Sequence, residues 1–420
     1  MATRSTTAPR TRHQAETGDG PAGSTLRGTG FGRLWSSTGA ANLGDGVLLA
    51  GLPVLATTVT DSPAAIAGVT VALMLPMVLS ALPAGALADR ADGRRVLVAG
   101  NAVRAASLVG LLAIAVLVDV RLALVYLAAV VASSTEVLVD TTAQTAVPGL
   151  VPDDRLEGAN ARLMVTQVVG NQAVGAPIGA VLAAIGAAAL LGPAAALYLV
   201  AAVAASRLRP TPRPRDTAGG TGDRGPVAQV ASEVREGLSH LLADPVLGRL
   251  AAANALSNLG NTAFAAVFVV FVVVRLDLPA SAYGVLLAAV AVGGLLGGAL
   301  AERFLTRVGS RAAIRVGFGL AAACYAAVAF SRHAVVVGAL ACVLGAASMV
   351  INVAARTLRQ RLVPDALLGR VTASMAAVSL VATPVGAVVG GVVAEWAGVA
   401  AAVGVAAVTN TIALVLMSRR

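Results

Sequence analysis

The chain has 420 residues, of which 57% are hydrophobic and only 12% are charged, and its mean hydropathy is +0.83. A water-soluble domain of this length cannot bury so much apolar surface, so most of the chain is expected to face lipid or other apolar helices. The net charge of +10 comes from arginine because the sequence has no lysine, which excludes a phosphate-binding P-loop and Schiff-base catalysis.

The chain opens with a polar segment. Residues 1–30 are rich in Thr, Gly and Arg and lack the apolar core that a signal peptide requires, so they are predicted to form a disordered cytoplasmic tail. Twelve apolar stretches follow, each close to the ~20 residues that cross a ~30 Å hydrocarbon layer. The predicted spans are 34–58, 64–88, 96–117, 122–144, 162–185, 187–206, 249–273, 282–302, 312–330, 334–355, 371–393 and 398–417.

The low aromatic content (3%) and the 45 glycines favour a closely packed helical bundle over a β-barrel. We therefore predict an all-α membrane protein with two six-helix bundles, at 31–206 and 249–420. Residues 207–248 between them begin with a Pro- and Arg-rich stretch, which predicts a cytoplasmic linker. Its second half, 227–242, has apolar residues at helical spacing. This segment is either an amphipathic helix on the membrane surface or a helix packed against the ends of the bundle.

Arginine placement predicts the orientation of the spans. Arginines cluster in the tail, the linker, the even-numbered loops and the C-terminus, whereas the odd-numbered loops hold only Arg121, Arg275 and Arg332. The positive-inside rule then places both termini on the cytoplasmic side of the plasma membrane, which requires an even number of spans. Because the arginines sit in short loops between apolar runs, this topology explains the basic charge better than nucleic-acid binding does.

The two halves share an internal repeat. Residues 42–45 (NLGD) match 258–261 (NLGN), residues 85–90 (GALADR) match 298–303 (GALAER), and residues 150–153 (LVPD) match 362–365 (LVPD), at offsets of 216, 213 and 212. Since each half has six spans, the halves enter the membrane in the same direction and form parallel repeats. Two rigid halves can rock about a site between them, as alternating access requires.

These motifs resemble the major facilitator superfamily over 31–420. The loop 85–95 (GALADRADGRR) is similar to that family's signature between its second and third helices, with one additional residue between Arg90 and Gly93. The resemblance implies a gating role, in which charge pairs and a helix N-terminus hold the cytoplasmic side closed. A simple topological cluster of charges is the alternative. The gating candidates are Asp89, Arg90, Arg94, Arg95, Glu302 and Arg303.

Within the superfamily, segments 150–160, 233–238 and 362–371 resemble the group that contains macrolide efflux proteins and the enterobactin exporter, whose members are proton-coupled exporters of drugs or siderophores. Residues 175–179 (GAPIG) are similar to a Gly-Pro motif of antiporters, although small residues beside a proline are common in transmembrane helices. The resemblance implies a small-molecule substrate and protons as partners, in a chain that is expected to be a monomer in the lipid bilayer.

Ionisable groups at bilayer depth are candidates for function, because a central aspartate costs about 2.5–3.5 kcal/mol on the lenient insertion scale. Asp45 lies near the middle of the first span, and Glu136 and Asp140 lie four residues apart on one face of the fourth. The repeat sets Asn261 against Asp45 and Asn352 against Asp140. We therefore predict that Asp45, with Glu136 or Asp140, exchanges the coupling proton and that amides, including Asn258, bind substrate. A charge pair at the cytoplasmic edge is the alternative for Asp140.

Two arginines are further candidates. Arg104 is predicted to lie about two turns from the cytoplasmic face, where it can snorkel, so an ion-pair or structural role is favoured over substrate contact. Arg356 pairs either with a carboxylate or anionic substrate, or serves as a positive-inside residue. The histidines and the two cysteines show no spacing typical of metal ligands, so we expect no metal and no cofactor.

The leading prediction is a proton-coupled exporter of a hydrophobic or amphipathic small molecule such as an antibiotic or siderophore. A proton-coupled importer of a small solute is the first alternative, because a fold does not set the direction of transport. A membrane-embedded enzyme that modifies lipid is the second. It is disfavoured because no histidine lies inside a span and no acidic metal motif or Ser/His/Asp arrangement is present, so no catalytic residue is predicted.

Overall fold

A computed structural model describes residues 30–90, 92–117, 120–152, 155–209, 238–239, 241 and 243–419, and it describes side chains at all of these except 81–90 and 365–366. Residues 1–29 of the predicted tail and most of the predicted linker (210–237, 240 and 242), with most of its amphipathic segment, lie outside the described residues. The side chains of Asp89 and Arg90 do so as well.

Six helices form the N-terminal half. They are α1 (Gly30–Ala56), α2 (Pro63–Arg90), α3 (Gly93–Leu117), α4 (Leu122–Ser134 and Glu136–Ala146, ending in a 3-10 turn at Val147–Gly149), α5 (Leu156–Val168, a π-helical segment Val169–Gly175, and Ala176–Ile185) and α6 (Ala187–Ser206).

Six more helices form the C-terminal half. They are α7 (Pro245–Val270, continued by a π-helical segment Phe271–Arg275), α8 (Ala282–Val308), α9 (Ser310–Phe330), α10 (Ala334–Leu362), α11 (Asp365–Ala397) and α12 (Val399–Ser418). Within the described residues, twelve helices are long and apolar enough to cross a membrane. The predicted fold class is therefore confirmed.

The even number of crossings puts the beginning of α1 and the end of α12 on the same side of a membrane. We call this side of the bundle the terminal end, and the side where α1 ends and α12 begins the far end. Single glycines in a positive-φ conformation turn the chain at equivalent points of the repeat. Gly186 (φ 145°) separates α5 from α6, and Gly398 (φ 85°) separates α11 from α12. Glycine adopts this backbone without the steric cost that a Cβ would add.

The same helix pairs pack in both halves. In the first half α1 packs against α5 and α6, α2 against α4, and α3 against α6. In the second half α7 packs against α11 and α12, α8 against α10, and α9 against α12. Each helix of the first half therefore corresponds to the helix numbered six higher in the second half, as the sequence repeat predicts. The large surface of exposed apolar side chains, such as Leu117, Phe330 and Trp396, is suited to lipid.

The halves meet through α2 with α11 and α5 with α8. At the far end, the Ser62 Oγ and the Ala64 backbone N–H donate hydrogen bonds of 2.8 and 3.2 Å to Glu395 Oε2 at the end of α11. Gly391 of α11 lies so close to α2 that a Cβ there would stand 2.7 Å from the Cβ of Ala67. The two halves are therefore in tight contact at the far end.

Close packing between α8 and α10 depends on particular glycines. A Cβ at Gly293 would overlap the backbone carbonyl of Cys342, whereas a Cβ at the neighbouring Gly294 would find its nearest atom 3.9 Å away. We expect Gly293→Ala to lower the free energy of unfolding by about 1–3 kcal/mol, because the helices must separate. Gly294→Ala gains helix propensity at no steric cost and serves as the matched control. Thermal unfolding of the purified protein in detergent checks this, and equal shifts for the two variants would contradict it.

Candidate functional site

An ion pair lies at mid-depth in the N-terminal half. Asp45 is about fifteen residues from the start of α1, roughly 22 Å along its axis, and Arg104 is about eleven residues from the start of α3. The Arg104 Nη1 donates to the Asp45 Oδ1 at 3.1 Å, and the residues are 0% and 6% exposed respectively. Buried charges at this depth are tolerated only when they are paired, so each of the two residues requires the other.

Two further side chains hold the pair. The Tyr198 hydroxyl of α6 donates to the Asp45 Oδ1 at 2.7 Å, and the Tyr198 ring lies 5.1 Å from the Arg104 Cζ, within the range of a cation–π contact. The Arg104 Nε donates to the Thr135 Oγ1 at 2.7 Å. The Asp45 Oδ2 and the Arg104 Nη2 are buried without a hydrogen-bond partner. The cluster thus keeps one free acceptor and one free donor.

A break in α4 presents Thr135 to the arginine. The preceding serines turn their hydroxyls back onto the helix, with Ser133 Oγ donating to Ala129 O at 2.9 Å and Ser134 Oγ donating to Val130 O. Such bonds compete with the helical pattern and bend helices. The backbone angles of Thr135 (φ −106°, ψ −6°) depart from those of a regular α-helix, and the helix starts again at Glu136. The break therefore places an acid in the first turn of the second segment.

The two predicted carboxylates of α4 lie near this pair. Glu136 lines a cavity of about 400 Å³ together with Asp45, and Asp140 lines a second cavity of about 240 Å³ with Asn42. The Asp140 Oδ2 accepts a hydrogen bond of 3.0 Å from the Gln167 Nε2, and Gln167 lines both cavities. Glu136 and Asp140 both interact electrostatically with Asp45 and Arg104. The structure thus brings the three predicted carboxylates into one electrostatic cluster.

The C-terminal half carries amides at the equivalent positions. Asn261, the counterpart of Asp45, accepts a hydrogen bond of 2.8 Å from the Tyr325 hydroxyl. Asn410 stands 212 positions after Tyr198 and accepts a hydrogen bond of 3.0 Å from the Ser257 Oγ. A cavity of about 310 Å³ is lined by Asn258, Asn261 and Asn352, among others.

The arginine has no counterpart in the second half. Positions 212 to 216 beyond Arg104 are Val316 to Leu320, all of them apolar or glycine. At equivalent positions, the N-terminal half therefore has a buried ion pair with nearby acids, whereas the C-terminal half has neutral hydrogen-bonding or apolar groups.

One sequence prediction about Arg104 is wrong. The side chain does not snorkel to the membrane face. The helix begins at Gly93, one turn earlier than predicted, which places the arginine about three turns deep and against Asp45. The favoured ion-pair role is confirmed by the 3.1 Å contact. Sequence reasoning missed Tyr198, Thr135 and Gln167, although each is a polar residue inside an apolar run.

The predicted gating residues are placed as follows. Asp92 immediately precedes α3: its Oδ1 accepts from the Arg94 backbone N–H at 3.0 Å, and its Oδ2 lies 3.6 Å from the Arg95 Nε. Glu302 and Arg303 are exposed near the end of α8. The structure therefore shows Arg94 and Arg95 around a helix start, and their role in gating stays a prediction.

Two arginines of α10 differ in their surroundings. Arg356 is exposed, and it is not among the residues that line the cavity of the C-terminal half. Arg359, which the sequence suggested only as a positive-inside residue, lines that cavity instead. Of these two arginines, which lie one helical turn apart on α10, only Arg359 contributes its guanidinium to the polar cavity.

The Gly-Pro segment of α5 has a packing function in the structure. Gly175 and Gly179 lie directly against the backbone of α1 at Leu43 and Val47. In the C-terminal half, Gly386 and Gly390 pack against α7 in the same way, and Pro384 lies two residues before Gly386. In α5 the π-helical turn Val169–Gly175 precedes Pro177, whose ring and missing N–H prevent a regular helical hydrogen bond there.

The buried pair gives a prediction about stability. Arg104→Met leaves the Asp45 carboxylate without its counter-ion, so we expect the free energy of unfolding to fall by about 3–5 kcal/mol. Adding Asp45→Asn removes the orphaned charge and should restore at least half of the loss. Arg95→Met breaks an exposed pair and is the matched control, with an effect below about 1 kcal/mol. Thermal unfolding in detergent measures all three, and a double variant that is less stable than Arg104→Met would contradict the interpretation.

The chain is similar to known transporters. The sequence model of the Major Facilitator Superfamily matches residues 34–383 and, in a second match, 250–420. The fold is similar to that of a mutant of the nucleoside transporter NupG (TM-score 0.72, 14% identity, 93% of this chain and 100% of that chain). It is also similar to a bacterial homolog of the human lysosomal transporter Spinster in an inward-facing, unoccupied conformation (0.70, 16%, 94% and 96%).

A bacterial homologue of the iron transporter ferroportin in the inward-facing state is a third match (TM-score 0.69, 18% identity, 93% of this chain and 98% of that chain). At these identities the likeness establishes the fold alone. No curated protein matches the sequence significantly.

Proposed function

From the premise that this chain belongs to the Major Facilitator Superfamily and is a membrane transporter, we propose that it exports a hydrophobic or amphipathic small molecule in exchange for protons. The observation that carries the proposal is the buried Asp45–Arg104 pair with its free carboxylate oxygen beside a cavity. It supplies a titratable group at mid-depth, which a proton-coupled transporter needs.

The chemistry of the pair supports coupling. While Asp45 is ionised it neutralises Arg104, and a proton on Asp45 removes that attraction and leaves the guanidinium with Thr135 and the Tyr198 ring. Asp45 lies on α1, Arg104 on α3 and Tyr198 on α6, so a change in the pair alters the packing of three helices in one half. Protonation and movement of that half are then linked, because each state of the proton favours a different arrangement.

Glu136 and Asp140 extend the proton path. Glu136 shares the cavity of about 400 Å³ with Asp45, and Asp140 lines the second cavity nearer the terminal end. Gln167 lies between the two cavities and holds Asp140 through a hydrogen bond. In this proposal protons pass between Asp45 and the terminal end by way of these acids, while Asn258, Asn261 and Asn352 contact the substrate.

The resemblance of segments 150–160 and 362–371 to the macrolide efflux and enterobactin exporter group supports the outward direction. The arginine-rich loops support the orientation with both termini in the cytoplasm. The tight contact of α2 with α11 at the far end fits a carrier closed on its outer side, with its cavities available from the cytoplasm.

The proposal predicts a resistance phenotype. Cells that overproduce the protein should tolerate at least several-fold higher concentrations of one or more hydrophobic or amphipathic antibiotics than cells in which it is deleted. A protonophore should abolish the difference, because the proton gradient supplies the driving force. Greater sensitivity on overproduction would instead indicate import, and a chemically altered product would indicate an enzyme.

Asp45 gives the sharper test. In vesicles loaded with a compound found by that screen, we expect Asp45→Asn to lower the rate of transport driven by a pH gradient at least ten-fold. The reason is that an amide cannot exchange the proton. Exchange of labelled for unlabelled compound should persist, which shows that the variant is folded. The matched control is Asp277→Asn, at an exposed loop residue whose φ of 54° asparagine tolerates. Gradient-driven transport by Asp45→Asn at the wild-type rate would refute the assignment.

A further inference from the structure

The polar cavity of the C-terminal half has one charged residue in its lining. Five asparagines contribute to the wall, together with hydroxyl groups of serine, threonine and tyrosine. Arg359 is the single charged side chain among the described residues that line it. A cavity of about 310 Å³ lies at the lower end of the range for small-molecule sites, and its neutral donors and acceptors suit a polar ligand.

Arg359 has no anionic partner within the described residues. Its Nη1 donates only to the Met375 Sδ at 3.8 Å, and its Nε is buried without a hydrogen-bond partner. Both ion pairs found among the described side chains lie elsewhere, at Arg95–Asp92 and Arg104–Asp45. A thioether is a weak acceptor, so the guanidinium keeps most of its five donors free.

The acidic residue nearest to Arg359 in the sequence is Asp365. The side chain of Asp365 lies outside the described part of the chain, but Asp365 begins α11, ten residues before Met375, which is about 15 Å along the helix axis. Arg356, three residues earlier on α10, acts electrostatically on Arg359 and has the same sign. A partly buried, fork-shaped donor that has no counter-ion among the described side chains, and that is set in a wall of amides, is suited to a carboxylate from a ligand.

We propose that Arg359 binds the carboxylate of an acidic amphipathic small molecule, whose remaining polar groups meet the asparagines of this cavity. This inference rests on the proposed transport function and names its substrate class. The charge distribution supports it: Asp45, Glu136 and Asp140 all lie in the other half, where they repel an anion. The ligand's negative group is thereby directed to the C-terminal half.

Four probes with one fluorophore test the charge preference. A dansyl-labelled alkyl chain ending in a carboxylate, its methyl ester, its primary amine and its phosphate monoester are titrated into the full-length protein in lipid nanodiscs, with empty nanodiscs subtracted. We expect the carboxylate to bind at least ten-fold more tightly than the ester or the amine. Equal affinities, tighter binding of the amine, or no binding of the carboxylate would overturn the inference. Tighter binding of the phosphate would overturn the carboxylate assignment.

Variants then assign the preference to one residue. In Arg359→Gln the affinities for the carboxylate and the ester should lie within about two-fold of each other. Arg359→Lys should retain part of the preference, because lysine keeps the positive charge but lacks the planar guanidinium that binds a carboxylate through two hydrogen bonds. The matched control is Arg361→Gln, two residues further along α10 and exposed, which should bind as the wild type does. Asp365→Asn should also keep the preference. A preference that survives in Arg359→Gln would overturn the proposal.

The two proposals fail in different ways. Loss of the Arg359-dependent preference, with Asp45-dependent export intact, would remove the acidic substrate class and leave the exporter. An Arg359-dependent preference for the carboxylate without gradient-driven transport would remove proton coupling and leave the binding site.

Discussion

A buried ion pair between Asp45 and Arg104 is the constraint on which the N-terminal half depends. Both charged groups lie at mid-depth and are almost fully buried, so the two helices that carry them must stay in register, and the surrounding helices are shaped to satisfy both groups. Tyr198 binds the carboxylate and lies against the guanidinium, and the break in α4 turns Thr135 toward the same arginine. Close glycine contacts between α1 and α5 hold the acid-bearing helix against the wall of its cavity.

Comparison of the two repeats indicates that the ion pair serves function and not folding. The same helix pairs pack in both halves, yet the equivalent of Asp45 is an asparagine and the segment equivalent to Arg104 is apolar. The framework therefore does not require the charges, since the second half folds without them. Charges that a fold can dispense with, and that cost several kcal/mol at bilayer depth, point to function. In the proposed mechanism the N-terminal half exchanges protons and the C-terminal half binds substrate.

Much of the fold could be predicted from the sequence, because hydropathy and helix length depend on each segment alone. The spans and the mid-depth position of Asp45 follow from that information. Pairing across helices does not: nothing along α3 indicates that Arg104 meets Asp45, and the arginine lies deeper than predicted because the helix begins one turn earlier than the apolar run. Arg359 illustrates the same limit. Charge near a helix end predicts topology, and only the packing of α10 against its neighbours shows that this arginine, and not Arg356, lines a cavity.

Proton coupling is tested most directly by asking whether the proton on Asp45 controls the movement of the halves. Spin labels at Asp61→Cys and His333→Cys, two exposed far-end positions in different halves, report their separation after Cys324 and Cys342 are replaced by alanine. The proposed mechanism predicts two distance populations whose ratio changes between acidic and alkaline buffer, and a fixed ratio when Asp45→Asn is added. The same pH response with and without Asp45 would contradict it.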